Sequence, residues 1–157
     1  MPFGMIFSII LIVVFLAVAG IVVKHFLGLQ KCSEIGFFMR DFQTSVDKVW
    51  KSSSRSETFT STLPGGIKEV CFVNFNESFS PAMEEKYGSV ERRYGFYNPN
   101  FFFFPPEGAC EIQYTTFQHL NITSVVEERN PYCITNGDGG IEIKISKDFN
   151  EALPKIE

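Results

Sequence analysis

MPFGMIFSIILIVVFLAVAGIVV, residues 1–23, carries no charged side chain, and its placement organises the rest of the chain. A helix rises about 1.5 Å per residue, so Phe3 to Val23 covers roughly 30 Å, the thickness of a bilayer's hydrocarbon layer. An uninterrupted helix satisfies its own backbone hydrogen bonds in lipid. Ile, Val and Phe are weak helix formers in water, but apolar transfer overrides that weakness here. Pro2 stands where a missing N–H costs nothing. A cleaved signal peptide is the competing reading, because Ala17-Val18-Ala19 is an A-x-A pattern followed by Gly20. No basic n-region precedes it, and Ile21-Val22-Val23 continues the apolar run, so a retained transmembrane anchor over residues 1–26 fits better. Ala17 and Gly20 are the candidates for a small-residue contact with another helix.

The helical pattern continues past Val23. Leu29, Cys32, Ile35 or Gly36, Met39, Phe42, Val46 and Val49 recur at spacings of three and four. Lys31, Glu34, Arg40, Asp41, Gln43, Asp47 and Lys48 lie between them, which leaves one apolar stripe on an otherwise wet helix. Residues 27–51 therefore read as an amphipathic helix continuing the anchor. The Ser52-Ser53-Ser54-Arg55-Ser56 run and the turn Pro64-Gly65-Gly66 predict a linker over 52–66.

Residues 67–157 read as a β-rich domain. Ile67–Phe75, Phe101–Phe104, Cys110–Phe117 and Leu120–Val126 have strand character. Cys133-Ile134-Thr135, the turn Asn136-Gly137-Asp138-Gly139-Gly140 and Ile141–Ile145 predict a hairpin. Ile141, Ile143 and Ile145 would face one way and Glu142 and Lys144 the other, the pattern of an antiparallel sheet with one wet face. Ser80-Pro81 ahead of Ala82-Met83-Glu84-Glu85 starts a short helix, weakened at Gly88. The fold class that follows is α+β: a long N-terminal helix, transmembrane and then amphipathic, packed on an antiparallel sheet.

Charge and cysteines narrow the function. Lys24 and Lys31 are the only charges before Cys32, so the remainder holds 12 of the 14 basic residues and all 18 acidic ones, a net of −6. An acidic domain gains nothing from a phosphate backbone, which argues against a nucleic-acid partner. Eighteen Phe against one Trp fit a packed core. Cys32, Cys71, Cys110 and Cys133 are widely spaced with no C-x-x-C pair, which argues against zinc and for disulfides in an oxidising compartment. Three connectivities are open, Cys110–Cys133 being slightly favoured; four buried thiols are the alternative. Asn76-Glu77-Ser78 and Asn121-Ile122-Thr123 are candidate glycosylation sites that agree with disulfides. Lys24, His25 and Lys31 beside the span would by the positive-inside tendency keep that flank cytoplasmic. Cysteines and sequons together outweigh so short a flank, and the C-terminal domain is expected outside the cytoplasm.

Catalytic patterns are scarce. His25 flanks the span and His119 sits at a turn, with no signature for a Cys–His nucleophile. Asn136–Gly140 with Glu142 lacks the ligand spacing of a calcium loop. Glu84-Glu85 and Glu127-Glu128 are adjacent in sequence, unlike carboxylates that flank a substrate. Phosphate-loop, dinucleotide, zinc-protease and serine-hydrolase motifs are missing. The expectation is a protein that is not an enzyme, with no catalytic, cofactor or metal residues. Phe101, Phe102, Phe103 and Phe104 send two rings to each face of a strand. They are either a covered central strand or an aromatic patch for a partner or lipid headgroups.

A long helix, apolar in its first half and amphipathic in its second, followed by an antiparallel sheet, resembles type IV pilins and pseudopilins. In those proteins the apolar half anchors the subunit in the membrane and later packs in a filament core. Only Met1-Pro2-Phe3 stands before Gly4, where pilins carry a basic leader, and the apolar segment lacks their glutamate. The segments Leu63–Phe72 and Asn130–Cys133 are similar to small archaeal membrane-anchored proteins. The resemblance implies a single-pass, pilin-like envelope structural or assembly protein, with the lipid membrane and a homo-oligomer or filament as partners. The alternative is a membrane-tethered extracytoplasmic binding module, for which a cleft ringed by Tyr94, Tyr97 or Tyr114 would speak.

Overall fold

The computed structural model describes residues 3–157. Helix α1 runs without a break over Phe3–Trp50. It is followed by β1 (Arg55–Ser61), β2 (Glu69–Phe72), α2 (Pro81–Tyr94), β3 (Phe101–Phe104), β4 (Tyr114–Thr115), α3 (Thr123–Glu128), β5 (Tyr132–Thr135), β6 (Ile141–Lys147) and β7 (Lys155–Ile156). Two compact units result, one ending at Ser33 and the other comprising Glu34–Glu157. The fold is α+β, with the second part of α1 packed against two antiparallel sheets of strand order β1-β6-β7 and β4-β3-β2-β5.

Within the Glu34–Glu157 unit, the helix buries Ile35, Phe38, Phe42, Val46 and Val49 completely or nearly so. The predicted stripe is present but rotated slightly, since Phe38 is the inward residue and Met39 is only partly covered. The rings of Phe38 and Phe42 reach both sheets. Phe38 lies 5.5 Å from Phe59 of β1 and 5.6 Å from Phe103 of β3. Phe42 lies 5.2 Å from Phe59 and 5.9 Å from Phe72 of β2. One helix stripe thus closes the core between two sheets that share no strand. At its end, Lys147 Nζ donates to the carbonyls of Trp50 (2.7 Å) and Ser52 (3.1 Å), satisfying groups that the last turn leaves open.

The four-stranded sheet is covered on its other face by α2, where Tyr87, Val90 and Tyr94 pack with Cys71, Val73 and Phe102. This resolves the phenylalanine run. Phe101 and Phe103 face the α1 core while Phe102 and Phe104 face α2, as alternation along a strand requires. Phe101, Phe102 and Phe103 are 0% exposed and Phe104 is half-buried, so the aromatic-patch reading is replaced by a covered central strand.

Four other expectations are corrected. The 52–66 linker contains β1, an edge strand with Phe59 as its one buried residue; so short an apolar signal is invisible in a serine-rich run. Leu120–Val126 is not a strand. Asn121 Oδ1 accepts the Thr123 N–H and α3 begins, which lets the adjacent Val125 and Val126 both turn inward. Cys110–Phe117 pairs only over Tyr114–Thr115, because a 3₁₀ turn at Pro106–Ala109 and a left-handed Cys110 (φ 54°) precede it. The predicted hairpin also separates: β5 pairs with β2, and β6 pairs with β1 and β7. Asn136 commits β5 to the four-stranded sheet, its N–H bonding Lys68 O (2.7 Å) and its amide donating to the carbonyls of Leu63 and Ile67. The alternation within β6 is as expected, with Ile141, Ile143 and Ile145 buried and Glu142 and Lys144 exposed. Helix α2 passes through Gly88, which is buried beneath the Glu84 carboxylate and Arg92.

Candidate functional site

The unit ending at Ser33 presents an apolar helical surface. From Gly4 to Lys31 every side chain is exposed, including Met5, Phe7, Phe15, Leu16 and Ile21. The helix is long and apolar enough to cross a membrane, and none of its most apolar window is buried by the protein. Ser8, the one hydroxyl in the run, donates to Gly4 O (2.9 Å), so its polar group is satisfied within the helix itself. A Cβ built on Gly20 meets nothing within 4 Å, and Ala17 is equally open. Such a surface can insert in lipid or pack on other helices, and is costly in water.

All four cysteines are oxidised. Cys71 and Cys133 sit directly opposite each other on β2 and β5, with Cα atoms 4.1 Å apart, and are joined by a disulfide. The Cys110–Cys133 pairing is thereby excluded. Cys32 and Cys110 are also disulfide-bonded, and no thiol is free. A cysteine nucleophile paired with His119 is therefore not formed. The ring of His119 instead stacks on Trp50 at 3.7 Å and 1°, with Nδ1 3.2 Å from Asp47 Oδ1. Glu69 brings a carboxylate within 4.8 Å of both sulfurs of Cys71–Cys133, but bonded sulfurs are not thiolate ligands for a metal.

Beside this disulfide lies a charged cluster on α2 and β2. Lys86 Nζ donates to Glu69 Oε1 at 2.7 Å, and Tyr87 OH donates to Glu69 Oε2 at 2.7 Å. The Lys86 ammonium also lies 4.9 Å from the centre of the Tyr87 ring and 5.6 Å from that of Phe104. The bond to Glu69 holds the Lys86 pKa above its ordinary value, and burial raises that of Tyr87. The cluster lines a recess of about 330 Å³ together with Met83, Arg129 and Pro131. A second recess of about 520 Å³, on which Arg129 also borders, is lined by Glu77, Glu127 and Glu128. Neither lysine–glutamate recognition nor Arg129 is visible in sequence, because the partners are 17 residues or more apart with no motif between them.

The remaining sequence candidates distribute as follows. Tyr94, Tyr97 and Tyr114 do converge, with ring centres of Tyr94 and Tyr114 4.8 Å apart and of Tyr97 and Tyr114 5.5 Å apart, but they stack on one another and do not ring a cleft. Asn76 and Asn121 are both exposed, as are Ser78 and Thr123 of their triplets. Glu84 and Glu85 lie on the exposed side of α2, and Glu127 and Glu128 on that of α3. The chain matches no protein-family model, no curated protein and no solved structure.

Proposed function

We propose that this is a single-pass membrane protein in which the first part of α1 is the span, and in which the Glu34–Glu157 unit is an extracytoplasmic structural or assembly module without catalytic activity, arranged as in pilins. The observation that carries the proposal is the unbroken exposed apolar surface from Gly4 to Val23. About twenty apolar residues match one bilayer crossing. Four oxidised cysteines and two exposed sequons support placement outside the cytoplasm. The test is membrane extraction and surface labelling. Alkaline carbonate should leave the full chain in the membrane fraction. A membrane-impermeant lysine reagent should label intact cells as strongly as lysed ones; a thiol reagent is unsuitable, since no thiol is free. Release by carbonate sinks the anchor, and labelling only after lysis sinks the orientation. A second reading, a membrane-tethered binding module, is favoured by the recess beside Lys86 and Arg129.

A further inference from the structure

We propose that the recess between α2 and the segment leading into β5 binds a small organic carboxylate, held by Arg129 and Lys86, with its apolar part against Met83 and Pro131. The inference supplies a ligand class for the binding reading and is independent of the anchor.

Charge is the first argument. Arg40, Arg55, Arg92 and Arg93 each stand beside a carboxylate, at 2.9, 3.0, 3.3 and 3.6 Å respectively. Arg129, the fifth arginine of the sequence, forms no ion pair among the described residues, although Glu127 and Glu128 precede it directly. It borders the recess with Lys86, so two cations face the single carboxylate of Glu69. Both oxygens of Glu69 are already engaged, by Lys86 and by Tyr87. The recess is therefore locally cationic in a unit whose net charge is acidic, and the guanidinium fork is the group suited to a planar carboxylate.

Size and lining are the second argument. Small-molecule sites start at roughly 300 Å³ and combine apolar walls with a few polar groups. At about 330 Å³ this recess meets that bound, whereas the recesses beside Asn98 (about 190 Å³) and Arg93 (about 240 Å³) do not. The larger recess sets three glutamates against the same Arg129, a net negative lining that disfavours an anion. Met83 and Pro131 provide apolar contact, and Thr135 adds a hydroxyl.

The test uses the methyl signals of the four methionines in the full chain in detergent micelles, with Met83→Leu assigning the relevant one. Sodium butyrate is titrated, with butyramide as its neutral counterpart and inorganic phosphate as a simple anion. The expected result is a saturable shift of the Met83 signal with a Kd of about 1–10 mM, the range for a weak fragment. Arg129→Gln, on an exposed side chain, should weaken butyrate about tenfold. Glu69→Gln should strengthen it by freeing Lys86. Arg92→Gln, on the outer face of α2, should change nothing. No shift, an unchanged affinity in Arg129→Gln, or equal binding of butyramide or phosphate would each overturn the proposal. None of these outcomes bears on whether the chain is anchored.

Discussion

Asn100 acts as a strand partner made from a side chain. Its Nδ2 donates to Phe117 O (2.9 Å) and its Oδ1 accepts the Phe117 N–H (2.8 Å), the two bonds a neighbouring backbone would provide. Asn130 does the same for Asn74, and Gln43 does it for Gln118. Removing such an amide strands two backbone groups, so Asn100→Ala should lower stability by roughly 2 kcal/mol; denaturant unfolding checks this, with the exposed Asn76→Ala as a near-neutral control. None of these clamps was legible in the sequence, because an asparagine looks like a turn residue wherever it stands and Gln43 looks like any other residue on the wet face of α1. The phenylalanine run was legible as a strand but not in its covering. Phe102 is packed by Tyr87 and Phe75 from one side and Phe103 by Phe38 from the other. Phe102→Ser and Phe103→Ser should therefore each destabilise by about 3–5 kcal/mol or more, seen as loss of the cooperative thermal transition. A variant that kept its full melting temperature while losing a bound partner would restore the surface-patch reading.

At the scale of elements, what was readable depended on whether the signal was local. The stripe on α1 and the alternation in β6 repeat over several turns or pairs, and both are present in the structure. Strand pairing is a long-range choice, and the glycine-rich turn after β5 gave no hint that its two flanks enter different sheets. The contact of α2 with β2 is of this long-range kind, and it makes a pH prediction. The folded-state pKa values of both Lys86 and Tyr87 are raised, by the Glu69 bond and by burial respectively. A raised pKa gives stability that is complete below the unfolded value and lost as pH rises through the folded one. The ordinary values are 10.0 for Tyr and 10.5 for Lys, so the unfolding midpoint should hold to about pH 10 and fall above it. Lys86→Met with Tyr87→Phe should flatten that alkaline decline while leaving the slope at neutral pH unchanged. A decline of equal steepness in the double variant would show that other groups cause it.

The whole molecule joins an oxidised domain to an apolar helix, and each half has its own constraint. The Cys71–Cys133 bridge closes a separation of 62 residues, for which the chain-entropy estimate is roughly 4 kcal/mol. Cys71→Ala with Cys133→Ala should lower unfolding stability by up to that amount, measured by denaturant at a fixed detergent concentration. The apolar helix poses a different question, because insertion in lipid explains its surface without explaining Gly20. Glycine is a poor helix former, about 1 kcal/mol worse than alanine, and a Cβ there would meet nothing in the isolated chain. Within one subunit, then, Gly20→Leu should be neutral or stabilising, and extraction by carbonate should be unchanged. If the helix associates with a second copy through small residues, leucine would hold the two backbones apart. The expected result is an oligomer in mild detergent that Gly20→Leu and Ala17→Leu convert to monomer, read by cross-linking or light scattering. Both variants remaining associated would remove the small-residue contact from the pilin-like reading and shift the assembly surface to the Glu34–Glu157 unit. A wild-type chain that is already monomeric would instead favour the tethered binding module.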